Sequence, residues 1–219
     1  DTRSLCINVI DKLIELHQVD VKAAGLDSLG KGDGYVARQI NGWSDRYLKA
    51  KTDDATDFQT VMDWLKANMP EDVGQCLIHN DFRLDNVVLE TQNPLNVIGV
   101  LDWEMATIGD PLMDLGNSLA YWVQADDEPQ FQMMRRQPTH LAGMLTRDEV
   151  VAYYLEKTGR SLDSFVFYEV YGLFRLAVII QQIYYRYYHG QTQDKRFAGF
   201  AHAARYLETR CLRLIKGEG

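Results

Sequence analysis

The sequence predicts an α+β protein, mostly helical, with a small strand-and-loop platform set among the helices. Three observations carry this. Apolar residues recur three and four apart through most of the 219-residue chain, the period of helices buried along one face. Between Cys76 and Asp102 that period is lost, and short apolar runs alternate with polar turns. Helix punctuation then returns: Asp110-Pro111, Thr146 with Glu149, and Gly159 are start and stop signals.

The elements follow in order. Ser4 to Gln18 reads as a helix, with Leu5, Val9, Leu13 and Leu16 on one stripe, widened by Ile10, Ile14 and His17. Residues 25 to 34, rich in Gly, Asp and Ser, form a loop. Tyr35 to Lys51 is helical through Tyr35, Ile40, Trp43 and Tyr47, and Asp57 to Asn68 is a short helix stopped before Pro70. Cys76-Leu-Ile78, Val87-Val-Leu89 and Val97 to Leu101 are short strands, with a turn at Asn93-Pro94 between the last two. Asp110 caps the next helix and Pro111 takes its first position. Residues 124 to 139 read as a long polar loop. Thr146 to Thr158 opens on a capping box and stops at Gly159. Phe165 to His189 and Phe197 to Lys216 are two long closing helices.

Bulk properties narrow the function. Apolar residues make up 46% and charged residues 25%, as in an ordinary globular protein. A net charge of −8 disfavours nucleic acid or an anionic membrane surface as partner. Apolar runs fall short of the ~20 residues of a membrane span, and no signal segment is visible. Cys6, Cys76 and Cys211 are odd in number and lack CxxC spacing, which argues against a disulfide framework or a zinc site and for thiols in a reducing cytoplasm.

The chemistry lies in His79-Asn-Asp-Phe-Arg-Leu-Asp-Asn86, followed by a hairpin that ends at Asp102. Phosphoryl transfer asks mainly for positioning and charge neutralisation. It needs one carboxylate at the attacking hydroxyl, and hard oxygen ligands that hold magnesium against phosphates. Asp81 and Asn86 share one loop, and folding the hairpin returns Asp102 to the side of Asn86. The H-x-D-x4-N loop, the hairpin and Leu101-Asp-Trp-Glu104 resemble the aminoglycoside phosphotransferase and choline kinase superfamily, relatives of the protein kinases. Within it, Val100 to Leu115 (V-L-D-W-E-M-A-T-I-G-D-P-L-M-D-L) and Gly34 to Ile40 with Trp43 resemble the aminoglycoside-phosphotransferase-like proteins associated with acyl-CoA dehydrogenases. The specific motifs span residues 76 to 122.

The resemblance implies the larger, C-terminal lobe of a protein-kinase-like fold and an ATP- and Mg2+-dependent transfer to a small-molecule hydroxyl. It implies that Asp81 orients or deprotonates the acceptor, that Asn86 and Asp102 hold the metal at the nucleotide, that His79 braces the loop, and that Asp114 anchors its backbone. Arg83 stands where a residue can reach toward the transferred phosphate; the alternative is an ion pair with Asp85 or another surface acid. Asn80 replaces the glycine common in aminoglycoside kinases. A hydroxyacyl acceptor or its coenzyme A ester is favoured over an aminoglycoside or choline. The smaller N-terminal nucleotide-binding lobe is expected to lie outside residues 1 to 219, so this lobe alone is expected to bind ATP poorly. The rival reading is a non-catalytic interaction or ligand-sensing module.

Other features read plainly. Asp110 is a helix cap rather than a ligand, and His17 is a core histidine. Tyr184-Tyr-Arg-Tyr-Tyr188 is helix packing rather than an aromatic cage. Gly30-Lys-Gly-Asp-Gly34 lacks the spacing of a phosphate loop.

Overall fold

The computed structural model describes residues 1–218. Helix α1 (Thr2–His17) begins at Asp1, whose carboxylate accepts from Ser4 N, and buries the predicted stripe from Val9 to His17. Helix α2 (Tyr35–Ala50) starts at Gly34 in the left-handed region. There Asp72 accepts from the amides of Gly34, Tyr35 and Val36 at 2.8–2.9 Å. Asp72, from the segment before the first strand, thus places a carboxylate at the helix N-terminus after the Gly30–Gly34 loop, which is where an anion would otherwise sit. Helix α3 (Gln59–Ala67) follows.

The platform consists of two antiparallel pairs. Strand β1 (Cys76–Ile78) pairs with β4 (Thr107–Gly109), and β2 (Val87–Leu89) pairs with β3 (Val97–Val100). The β2–β3 hairpin was legible; β4 was not. Its three residues have one apolar side chain and find their partner more than 25 positions upstream, with Leu77 opposite Ile108. Helix α4 (Pro111–Leu119) opens on Asp110, which accepts from Leu112 N and Met113 N with one oxygen and from Val73 N with the other.

Helix α7 (Val166–Tyr188) is the spine. It is long and apolar enough to cross a bilayer by composition, longer than the runs read from the sequence, yet most of it is buried inside the fold. It crosses α4 at Gly116 and Gly172, where a Cβ on Gly172 would stand 2.1 Å from the Gly116 carbonyl oxygen and one on Gly116 would stand 2.4 Å from the Tyr168 carbonyl oxygen. Only glycine permits that approach. Helix α6 (Arg147–Thr158) has the capping box of Thr146 and Glu149 and ends at left-handed Gly159. Helix α8 (Phe200–Ile215) packs along α7.

The region read as a loop from 124 to 139 contains a further short helix, α5 (Pro129–Met133). Pro129 starts it, and the buried ring of Phe131 anchors it beneath the guanidinium of Arg210, 4.4 Å above. Asp127 fixes the segment through two bonds to Arg147, at 2.6 and 2.8 Å, and one to Arg210 at 3.1 Å. All three cysteines are buried and free. Tyr184 is buried with its hydroxyl on Asp54, while Tyr188 stays exposed.

Candidate active site

The loop from His79 to Asn86 leaves the end of β1 and turns sharply at Asn80, a non-glycine residue at φ 65. Four elements hold that turn. From α4, Asp114 accepts from His79 N at 2.9 Å and Asn80 N at 2.8 Å. From α7, Arg175 donates to the Asn80 carbonyl at 2.9 Å, its guanidinium 5.0 Å above the Trp43 ring. Tyr35 and Asn117 donate to Asn80 Oδ1, at 3.1 and 3.2 Å, and Asn80 Nδ2 donates to Met105 O. A side chain that satisfies so many neighbours offsets the ~1–2 kcal/mol cost of the left-handed backbone.

His79 is fully buried. Its Nε2–H donates to Leu101 O at 2.8 Å, and its Nδ1 accepts from Asp81 N at 3.2 Å. A carbonyl on one side and an amide on the other select the Nε2–H tautomer. The ring therefore ties the Asp81 backbone to the strand that delivers Asp102.

Behind Asp114 lies a relay that the sequence reading missed. His17 Nε2 donates to Asp114 Oδ2 at 3.0 Å, and Tyr154 donates its hydroxyl to His17 Nδ1 at 2.7 Å. Burial alone would raise the Asp114 pKa. The His17 hydrogen bond, with those from the His79 and Asn80 amides, holds it below the ordinary carboxylate value instead. Burial pushes the Tyr154 hydroxyl up, so it keeps its proton. The periodicity of α1 placed His17 on the core face; its partners come from α4 and α6, and no local signal could name them.

Asp81 and Asn86 sit together. Asn86 Nδ2 donates to the Asp81 carbonyl at 2.8 Å and lies 3.3 Å from Asp81 Oδ2. Asp102 is brought to Asn86 by the hairpin: Val87 faces Val100, and one step on, Leu101 N donates to Asn86 O at 2.7 Å. Asp102 is exposed and left-handed at φ 66, and among the described residues its carboxylate has no hydrogen-bond or ion-pair partner. Trp103 stacks edge-on to His79 at 4.9 Å.

Arg83 lies on Asp81. Its Nη2 donates to Asp81 Oδ2 at 3.2 Å and its Nε is 3.1 Å from Oδ1, while Asp85 is farther, at 3.7 Å. Its guanidinium rests 4.9 Å from the centre of the Tyr121 ring. Buried Gln137, from the segment before α6, accepts from Leu84 N at 2.7 Å and holds this half of the loop. Beyond Arg83 opens a cavity of about 670 Å3 between the end of α4, α5, α7 and α8. Leu176, Ile179, Ile183 and Phe200 are among its walls, with Arg83 and Arg136 at its polar parts.

Asn86 and Asp102 supply hard oxygen donors of the kind magnesium takes. Asn86 offers an amide oxygen that no described residue engages, and Asp102 offers a free carboxylate. No group of three or more His, Cys, Asp or Glu side chains that could hold a metal gathers among the described residues. Two protein oxygens completed by phosphate and water is the usual magnesium arrangement at nucleotides.

A helical lobe carrying a loop-and-hairpin platform of this kind defines a kinase-like phosphotransferase fold. The chain belongs to the phosphotransferase enzyme family (APH), whose pattern matches residues 1–149. It is similar to acyl-CoA dehydrogenase family member 10 of Mus musculus, 35% identical over 184 residues, which are 83% of this chain and 17% of that protein. It is also similar to acyl-CoA dehydrogenase family member 11 of Pongo abelii, 31% identical over 216 residues, 97% of this chain and 27% of that protein. The chain thus spans about a quarter or less of these relatives. Among solved structures, a Ralstonia eutropha protein assigned to the aminoglycoside phosphotransferases superposes with a TM-score of 0.84 at 26% identity, over 98% of this chain and 65% of that one. Choline kinase of Cryptosporidium parvum shares the fold, with a TM-score of 0.56 at 12% identity, over 97% of this chain and 65% of that one.

Proposed function

We propose that this chain is the acceptor-side lobe of an ATP- and Mg2+-dependent phosphotransferase acting on a small-molecule hydroxyl. One observation carries the reading: the Leu101–Asn86 backbone bond of 2.7 Å sets Asn86 beside Asp102, whose carboxylate has no partner among the described residues, next to Asp81. Asp81 orients the acceptor hydroxyl and takes its proton. Asn86 Oδ1 and the Asp102 carboxylate hold Mg2+, which when bound neutralises charge on the nucleotide phosphates. His79 and Asp114 keep the Asp81 backbone in place. The nucleotide-covering lobe is expected in the chain that precedes these residues.

The acceptor occupies the cavity beyond Arg83. Aliphatic walls with arginines suit an acyl body that carries an anionic group, and oppose a polycationic aminoglycoside. A hydroxyacyl compound or its coenzyme A ester meets that description, and the names of the relatives point the same way.

The test is magnesium-dependent ADP release by the full-length protein, offered hydroxy acids, amino alcohols and sugars, beside Asp81→Asn. Turnover on one acceptor class, lost in the variant, is expected. Equal background in both proteins across the panel, without binding of ATP, would leave the non-catalytic module as the better reading.

A further inference from the structure

We infer that Arg83 determines acceptor specificity: it is shared between Asp81 and an anionic group on the acceptor, so that an acid-bearing acceptor draws the guanidinium away and frees the carboxylate that the reaction uses. The inference deepens the phosphotransferase reading and rests on it for the role of Asp81.

The geometry of Arg83 is that of an incompletely used cation. An arginine has five N–H donors. Here one hydrogen bond reaches Asp81, at 3.2 Å, and Asp85 is too distant for another. Nε lies near Asp81 Oδ1 yet is buried without a hydrogen-bond partner, because its N–H does not point at that oxygen. The guanidinium face is fixed on Tyr121, and both residues line the cavity. Donors remain for a second anion arriving from that side.

The cavity says what arrives. Its walls from α7 are Leu176, Ile179, Ile180 and Ile183. Its lining holds three arginines, Arg83, Arg136 and Arg196, against a single carboxylate, Asp85. Asp194 engages Arg196, whereas Arg136 has no acidic partner among the described residues. An aliphatic body with a carboxylate complements this surface; a neutral alcohol of the same length meets only the walls.

Sharing makes Asp81 and the ligand's anion competitors for one guanidinium, and this sets the sign of a test that a merely structural ion pair would not pass. Calorimetric titration with octanoate and with 1-octanol, on the full-length protein, compares wild type, Arg83→Gln, Arg83→Lys and Asp81→Asn. In wild type, octanoate binds about tenfold more tightly than octanol, the scale of a charged hydrogen bond. Arg83→Gln removes that preference. Arg83→Lys keeps part of it, since the charge remains and the fork is lost. Asp81→Asn, by removing the competitor, tightens octanoate severalfold and leaves octanol unchanged. Three results overturn the inference: an octanoate preference that survives Arg83→Gln, octanoate binding weakened by Asp81→Asn, or no octanoate binding at millimolar concentration. None of these depends on turnover, so they are distinct from failure of the ADP-release assay, which bears on the phosphotransferase reading.

Discussion

The two ends of the loop from His79 to Asn86 are built in opposite ways. At its start, His79 and the Asn80 turn are held from below by Asp114, Arg175, Tyr35 and Asn117, with His17 and Tyr154 behind them. At its end, Asn86 meets Asp102, whose carboxylate is exposed and has no partner among the described residues, in a strand end that also leaves Leu101, Trp103 and Met105 exposed. The difference separates two duties. Polar groups at the start are used up in fixing the backbone, and those at the end are left free for something the fold does not contain. Left-handed backbone occurs at both ends, at Asn80 and Asp102, but only at Asn80 do side-chain bonds offset it.

That contrast predicts large stability effects under the first end and small ones at the second. The largest is expected at the helix crossing that carries Asp114. Gly172→Ala would place a Cβ 2.1 Å from the Gly116 carbonyl oxygen, so α4 and α7 must separate. Chemical denaturation should show a loss of about 4 kcal/mol or more. Asp114→Ala comes next, at about 3–5 kcal/mol, because it leaves two buried amides and the His17 N–H without an acceptor.

Acid should reproduce part of that loss. The Asp114 carboxyl is held below its ordinary value of 3.8 in the folded protein. It therefore adds stability above that value and loses it as pH falls through the lower folded one. Asp110, one turn earlier, has the opposite sign: burial raises its pKa despite bonds from Val73, Met113 and Leu112, so its contribution improves on acidification. Urea titrations of wild type and Asp114→Asn should differ by their full margin near neutrality, begin to approach each other only below the ordinary value of 3.8, and converge as pH falls through the lower folded value.

Tyr154→Phe is smaller, about 1–2 kcal/mol, since it removes one buried donor and leaves His17 Nδ1 unsatisfied. Thermal melting of the variant should show no compensation from the added apolar area. The smallest stability effect is expected from Asp102→Asn, within about 0.5 kcal/mol, because the carboxylate has no partner among the described residues and asparagine tolerates left-handed backbone.

The same contrast explains what the sequence disclosed. Signals that act within a few residues were readable: the Asp110-Pro111 start, the Thr146–Glu149 capping box and the Gly159 stop each bond to the helix that they terminate. The β2–β3 hairpin was also local enough to place Asn86 near Asp102. What escaped depends on distant partners. The β4 strand gains its identity from β1, and α5 from the burial of Phe131 under arginines of α6 and α8. His17 was visible as a core position, but its bond to Asp114 spans 97 residues. Arg175, in the middle of an apolar helix, reaches Asn80 across 95. Charged and imidazole groups on otherwise apolar faces of α1 and α7 were the available hint, and naming their partners required the fold.

The most direct test of the central claim, that Asn86 and Asp102 are set out from the fold to hold a metal at the nucleotide, is Asp102→Asn in the full-length protein. ADP release and melting temperature are measured on the same preparation. The expected result is a fall in turnover of about 100-fold or more, the scale of losing one preorganised charge at a transferring phosphoryl group, with a melting temperature within about 2 °C of wild type. Turnover at the wild-type rate, or a variant that loses activity because it unfolds, would contradict it.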